Sequence, residues 1–133
     1  MGIQNQLGKK SESKVCSFFG ERKYWSYFLN KGINGQPVDI IAIRKNDIWF
    51  VDAKHLEDNK KSFPFNYIEP NQITSMKRLK YVAEVNAILG FVIDWCNELY
   101  FLNFSFFCEL EKQGRKSVKI EFLPRLEELV KCE

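Results

Sequence analysis

Two short apolar segments, each with an aspartate near one end, constrain this chain more than any other feature of its sequence. The first segment is VDIIAI at residues 38–43, the second is IWFVDAK at residues 48–54, and RKND lies between them. Runs of β-branched and aromatic residues of this length are typical of strands, and the polar residues between them predict a β-hairpin. In a hairpin symmetric about Lys45 and Asn46, residues whose numbers sum to 91 lie opposite each other. This register pairs Asp39 with Asp52.

The predicted pairing brings two carboxylates together on one face of the hairpin. Side chains alternate between the two faces of a strand, so Asp39, Asp52 and Lys54 share a face. Like charges directly opposite each other, with Cβ atoms about 4.5–5.5 Å apart, destabilise a sheet. One lysine cannot neutralise two carboxylates, whereas Mg²⁺ or Mn²⁺ can, and both ions prefer oxygen ligands. The pattern predicts a metal site, and an ordinary hairpin with solvated aspartates is the alternative.

Two further polar residues occupy positions that helical periodicity assigns to the core. Glu12 lies four residues before Cys16 and seven before Phe19, on the buried stripe of the first predicted helix. A carboxylate that only complements the helix dipole is the alternative. Gln72 lies in the first turn of the second predicted helix, on the stripe of Met76. A buried, hydrogen-bonded amide with no role in chemistry is its alternative.

The remaining elements are predicted from hydrophobic periodicity and turn residues. Helices are expected over residues 11–29, from 69 or 70 to 84, and over 106–112 and 124–131. Further strands are expected over 87–95, 98–104 and 117–122, with a turn at 32–37 and a loop at 55–62. The run at 87–95 is apolar on both faces, which favours a central strand. This order predicts an α/β sandwich with a central mixed sheet flanked by helices, in one domain over residues 1–133.

Composition excludes several classes of protein. With 133 residues, 45% of them apolar and 28% charged, the chain has the composition of a soluble globular domain. The absence of a window of about 20 apolar residues argues against a membrane span, and the first residues do not resemble a signal peptide, so a cytoplasmic protein is expected. Four separated cysteines and the single His55 exclude a zinc ribbon. The sequence contains no glycine-rich phosphate loop, so a small-molecule cofactor is not expected.

Basic residues are concentrated near the N-terminus. The net charge is only +3, but residues 1–31 contain six lysines and arginines against Glu12 and Glu21. A basic segment of this kind suits a polyanion such as DNA, and a solvated helix face is the alternative. Phosphate contacts position a duplex without reading its sequence. The candidates for such contacts are Lys9, Lys10, Lys14, Lys60 and Lys61.

The aspartates and the lysine together resemble the PD-(D/E)XK nuclease signature, in which an acid closes one strand and (D/E)XK closes the next. Flanking segments resemble the RecU family of Holliday junction resolvases and, more distantly, the archaeal Hjc resolvases. These segments are GKKSE at residues 8–12, PVDIIAI at 37–43, FPFNYI at 63–68 followed by Gln72, and RKSV at 115–118. RecU proteins carry a longer stalk where this chain has residues 32–37, often histidine at the position of Asn71, and usually glutamate at that of Asp52.

This resemblance implies a restriction-endonuclease-like fold and a metal-dependent, structure-specific DNA endonuclease. The expected substrate is a four-way Holliday junction, cleaved by a homodimer in recombination and repair. A restriction-like or repair nuclease acting on linear or flapped DNA is one alternative. A DNA-binding module that keeps the fold without cleaving is another.

The resemblance also implies a role for each candidate residue. Mg²⁺, with Mn²⁺ as a substitute, would be held by Glu12, Asp39, Asp52 and the carbonyl of Ala53. Lys54 would orient the nucleophile or stabilise charge in the transition state, and Gln72 would complete the catalytic set. A general base at His55 is disfavoured, because a bound metal already provides hydroxide.

Overall fold

A five-stranded mixed sheet forms the centre of the chain. The computed structural model describes residues 3–29 and 38–132, with side chains from Lys10 onward. The strands lie in the order β1-β2-β3-β5-β6; β3 and β5 are parallel, the other neighbours are antiparallel, and β4 and β7 form a separate small sheet. The elements are α1 Ile3–Glu21, β1 Trp25–Phe28, β2 Ile40–Arg44, β3 Asp47–His55, β4 Ser62–Pro64, α2 Pro70–Tyr81, β5 Ile88–Trp95, β6 Glu98–Asn103, α3 Phe104–Lys112, β7 Ser117–Lys119 and α4 Leu126–Leu129. The predicted α/β sandwich with a mixed sheet is confirmed.

The hairpin of β2 and β3 has the predicted register. Ile41 lies opposite Phe50 and Ile43 lies opposite Ile48. The ladder continues to the pair of Arg44 and Asp47, which leaves a two-residue turn in which Lys45 has a φ of 56°. Tight hairpin turns require such a left-handed conformation.

Strand alternation divides the core into two layers. On one face of the sheet, α1 packs Val15 and Phe19 against Trp49 and Val51 of β3. On the other face, helices α2 and α3 cover the alternate residues of β5, with Phe107 in contact with Phe91. Each face of β3 therefore meets a different helix layer, and the residues at its C-terminal end inherit the same division.

The prediction of one helix over residues 11–29 is wrong at both ends. Helix α1 begins at Ile3 and ends at Glu21, and Lys23, with a φ of 69°, reverses the chain. β1 follows as an edge strand against β2. The aromatic residues of this segment fit a helical spacing by coincidence, and Trp25 and Phe28 are 59% and 37% exposed.

Other boundaries differ from the prediction by a few residues. Helix α2 ends at Tyr81, because Val85 donates to the carbonyl of Leu79 and Glu84 has a φ of 51°. Helix α3 begins earlier than predicted, at the cap where the side chain of Asn103 accepts from the next turn. The strand at 117–122 and the helix at 124–131 are shorter than expected, β4 was not predicted, and the turn at 32–37 lies outside the described residues. In the part of the chain that is described, no helix is both long enough and apolar enough to cross a bilayer.

Candidate active site

Three side chains from two elements form a closed hydrogen-bonded group on the face of the sheet covered by α2. Lys54 Nζ lies 2.9 Å from Asp52 Oδ2 and donates to Gln72 Oε1, also at 2.9 Å. Gln72 Nε2 donates to the same Asp52 Oδ2 at 3.0 Å. Asp52 is fully buried and the Lys54 side chain is 16% exposed. The ammonium group therefore sits at the edge of solvent, with its position fixed by two partners.

The amide of Gln72 is fixed by the way α2 begins. The carbonyl of Glu69 accepts the backbone N–H of Gln72 at 3.0 Å, and Gln72 Oε1 accepts the backbone N–H of Glu69 at 3.3 Å. Pro70 begins the helix, where its missing N–H costs nothing. The same amide oxygen that closes this capping box accepts from Lys54, so the helix start positions the lysine.

Asp52 has one carboxylate oxygen to which no group in the described part of the chain donates. Its Oδ2 atom accepts from both Lys54 and Gln72, while its Oδ1 atom is buried and has no hydrogen-bond partner among the described residues. A buried carboxylate oxygen is costly to leave unpaired. Because Mg²⁺ and Mn²⁺ take carboxylate oxygens as ligands, this atom fits a metal-binding role.

Asp39 directly precedes β2 and is 97% buried, with an exposure of 3%. Its backbone N–H donates to the carbonyl of Val51 at 3.2 Å, and its own carbonyl accepts from Leu29 at 2.7 Å. The last ladder pair of the hairpin is Ile40 with Val51, so the next position on each strand is Asp39 and Asp52. The predicted adjacency along the two strands is thus present, with Asp39 held by backbone bonds to Val51 of β3 and to Leu29, the residue after β1.

Glu12 lies on α1, in the layer on the other side of the sheet from Asp52. Helix α1 packs against Trp49 and Val51, which point to the face opposite Asp52. Glu12 is 7% exposed, so its predicted burial is confirmed, and it acts together with burial to raise the pKa of Cys16. No group of three His, Cys, Asp or Glu side chains suited to a metal ion is found within the described ranges. Mg²⁺ commonly uses one or two carboxylates and keeps several waters, so Asp39 and Asp52 with a backbone carbonyl would still suffice.

A further buried carboxylate, absent from the predicted site, lies on the α1 face. Asp94 on β5 is 3% exposed and accepts from Ser11 Oγ at 2.8 Å and from Lys14 Nζ at 3.1 Å. His55 lies next to it, with Nδ1 3.8 Å from Asp94 Oδ2. The signal that could have found Asp94 is the one used for Asp39, an acid that closes an otherwise apolar strand. His55 shares this cluster rather than the face of Lys54.

The lysines predicted to contact DNA differ in their surroundings. Lys14 is committed to Asp94, and Lys60 lies 5.8 Å from the centre of the Tyr67 ring. Lys10 and Lys61 are exposed, and the side chain of Lys9 lies outside the described residues.

A groove of about 680 Å³ runs between α1 and the turn that joins β5 to β6. Its lining carries both signs of charge, with Lys10 and Arg22 on one side and Glu98 and Glu127 on the other. Asp52 and Lys54 do not line this groove, so it is separate from the candidate active site.

Known proteins resemble this chain chiefly in fold. Hjc from Archaeoglobus fulgidus, a Holliday junction resolvase, superposes with a TM-score of 0.70 over 93% of this chain and 100% of its own, at 10% sequence identity. The chain has the fold of Hjc. A UPF0102 protein from Cytophaga hutchinsonii is 24% identical over 96 residues, which cover 72% of this chain and 80% of that relative. No protein-family model matches the chain. The restriction-endonuclease-like fold expected from the sequence is therefore confirmed.

Proposed function

We propose that the chain is a metal-dependent endodeoxyribonuclease that cuts branched DNA, with a RecU-like specificity for four-way Holliday junctions. The observation that carries the proposal is the group of Asp52, Lys54 and Gln72, in which a buried carboxylate keeps one oxygen without a donor among the described residues. The fold shared with Hjc supports the same activity. Its place in the cell would be recombination and repair.

The proposed metal ligands are Asp39, Asp52 and the carbonyl of Ala53; Glu12, the further ligand expected from the sequence, is not grouped with the two aspartates within the described residues. Mg²⁺ is the expected ion and Mn²⁺ its substitute, because all of these donors are oxygens. When bound, the ion would lower the pKa of a coordinated water and polarise the scissile phosphate.

Lys54 is the protein's own positively charged group in the proposed active site. Its ammonium group is largely shielded from solvent, where an interaction with developing negative charge is stronger than in bulk water. Gln72 keeps that charge in place through its amide oxygen. His55 belongs to the cluster around Asp94 and needs no role in proton transfer.

Exposed lysines on α1 and in the loop after β3 would hold the DNA backbone. Lys10 and Lys61 are exposed, and Lys60 and Lys9 are the further candidates. Lys14 is less suited to this task, because Asp94 already neutralises it. Such contacts would make binding depend strongly on salt, as is general for phosphate recognition.

The test compares end-labelled DNA substrates of the same sequence: a four-way junction, a flapped duplex and a linear duplex, each with Mg²⁺ or with chelator. We expect Mg²⁺-dependent cleavage of the junction, with much slower cutting of the linear duplex. The Lys54→Ala variant should bind the junction and fail to cleave it. Equal cleavage of junction and linear duplex would point to the restriction-like alternative. Salt-sensitive binding with no cleavage under any divalent ion would contradict nuclease activity.

A further inference from the structure

The exposed side of β1 carries two aromatic rings that stack on each other. Trp25 is 59% exposed and Tyr27 is 52% exposed. Their ring centres are 5.7 Å apart and their planes differ by 11°. Two large rings left in water forgo the free energy that their burial would provide. A parallel, solvent-exposed pair of this kind suits a ligand with a flat face of its own.

The stacked pair lies on the same face of the sheet as Asp52. Tyr27 is directly opposite Ile41, which is directly opposite Phe50, two residues before Asp52 on β3. Two strand spacings across and two residues along correspond to about 12 Å between the Cα atoms of Tyr27 and Asp52. For Trp25, two residues further along, the same spacings give about 16 Å.

Positive charge borders the two rings. Lys23 lies two residues before Trp25 in the chain, and Lys45 is in the hairpin turn just beyond the residues opposite Trp25; both side chains are exposed. The nearby carboxylate of Asp47 accepts hydrogen bonds from the hydroxyl of Tyr24 and from Trp49 Nε1. Aromatic rings bordered by lysines are the usual surface for single-stranded nucleic acid. A second copy docked symmetrically on this surface would instead bring like charges together.

We infer that Trp25 and Tyr27 form a stacking platform for unpaired bases of the DNA strand that enters the active site. The inference rests on the proposed nuclease function and adds that bases next to the cut, at the branch point of the DNA, are unpaired when the strand is bound. At the rise of about 3.4 Å per nucleotide of a stacked strand, the platform lies within about five nucleotides of Asp52. A continuous duplex hides the faces of its bases and cannot use this surface.

The test measures equilibrium binding in chelator, so that no DNA is cut. The full-length chain is titrated with oligo(dT), with a duplex containing a five-nucleotide gap, and with the matching continuous duplex. The Trp25→Ala/Tyr27→Ala variant should bind the first two about 5- to 150-fold more weakly, from the usual stacking energy of one base, and the continuous duplex equally well. Trp25→Phe, which keeps a ring, should retain most of the affinity. Phe122→Ala is the control, since Phe122 is 64% exposed and lies outside β1.

Three results would overturn the platform. One is an equal loss of affinity for all three substrates, and another is no loss for any. The third is a wild-type dimer that the double variant converts to monomer while affinity for oligo(dT) per chain stays the same. Failure of the nuclease proposal is distinguishable: ring-dependent binding of unpaired DNA by a chain that never cleaves would support the platform and contradict the nuclease.

Discussion

At the scale of single residues, the candidate site depends on how few donors surround Asp52. Two donors share its Oδ2 atom, and within the described residues its Oδ1 atom has none. Lys54 satisfies part of the charge, and Gln72 links the two. The arrangement leaves a carboxylate that is buried, oriented and still able to accept a ligand.

Gln72→Ala tests whether the amide positions Lys54. Loss of the amide removes a hydrogen bond to Lys54 and one to Asp52, so junction cleavage should fall by about 10- to 100-fold, as is usual for residues that orient metal-site groups. The neighbouring Asn71→Ala changes an exposed residue outside this group and serves as the control. Single-turnover rates measure both. Equal rates for Gln72→Ala and wild type would show that the amide has no positioning role.

The sequence predicted this group because strand alternation and register are strict. A slip of one residue would move every side chain to the other face, so apolar residues pair correctly in only one register. That register put Asp52 and Lys54 on one face and Asp39 beside them. The hydrogen bond from Gln72 to Asp52 was not predictable, because it depends on where α2 packs against the sheet. The cluster around Asp94 was not predicted, because its partners Ser11 and Lys14 come from α1, far away in the sequence.

At the scale of elements, the close approach of β5 and β6 depends on Gly90. A Cβ atom at Gly90 would lie 2.4 Å from the carbonyl oxygen of Leu102 and 2.6 Å from the ring of Phe101. Gly90→Ala should therefore lower the free energy of unfolding by about 1–3 kcal/mol or more, through overpacking. Gly20→Ala is the matched control, because nothing lies within 4 Å of a Cβ there and alanine favours the helix. Urea unfolding measures both, and equal stability of the two variants would contradict the close approach.

The end of α1 is tied to the hairpin through Tyr24. Burial, with Asp47 as a hydrogen-bond acceptor, raises the pKa of Tyr24 to about 12. A pKa raised above its unfolded value near 10 stabilises the fold fully below pH 10, and this contribution is lost as the pH rises towards 12. The stability difference between wild type and Tyr24→Phe should hold constant from pH 8 to 9.5 and change in favour of Tyr24→Phe above pH 10. Urea unfolding across this range measures it, and a difference independent of pH would contradict the coupling.

Edge strand β1 shows where element prediction fails. Its four residues fit a helical repeat as well as a strand, since aromatic residues are frequent in this segment. What decides the outcome is the left-handed turn at Lys23 and the free edge of β2 that β1 covers. Neither is visible in local periodicity, because the edge belongs to a hairpin formed later in the chain.

At the scale of the whole molecule, the C-terminal end of β3 contributes side chains to both faces of the sheet. The parallel pairing of β3 and β5 sets Lys54 beside Ile93 and His55 beside Asp94. Lys54 therefore lies on the face of the candidate active site, and His55 lies on the face covered by α1. A central strand was predictable at 87–95, because the run is apolar on both faces, and β5 is that strand. The small sheet of β4 and β7 was not, because three-residue strands carry too little pattern.

Paired cutting of a four-way junction requires two active sites, so the proposed function predicts a two-fold dimer. Sedimentation equilibrium at micromolar concentration should give a mass near twice the 15.7 kDa of the chain. A monomer at all concentrations, with DNA present or absent, would contradict paired resolution and leave single-strand nicking as the activity.

The proposed nuclease activity requires the carboxylate of Asp52 as a metal ligand. The rate of Mg²⁺-dependent cleavage of a labelled four-way junction is compared between Asp52→Asn and Asp58→Asn, a control that changes an exposed carboxylate in the loop after β3. Asp52→Asn should lower the rate by more than about a hundredfold, the upper end of what loss of a supporting residue costs, while junction binding stays intact. Asp58→Asn should cleave like wild type. Cleavage by Asp52→Asn at the wild-type rate would contradict a metal-binding role for this carboxylate.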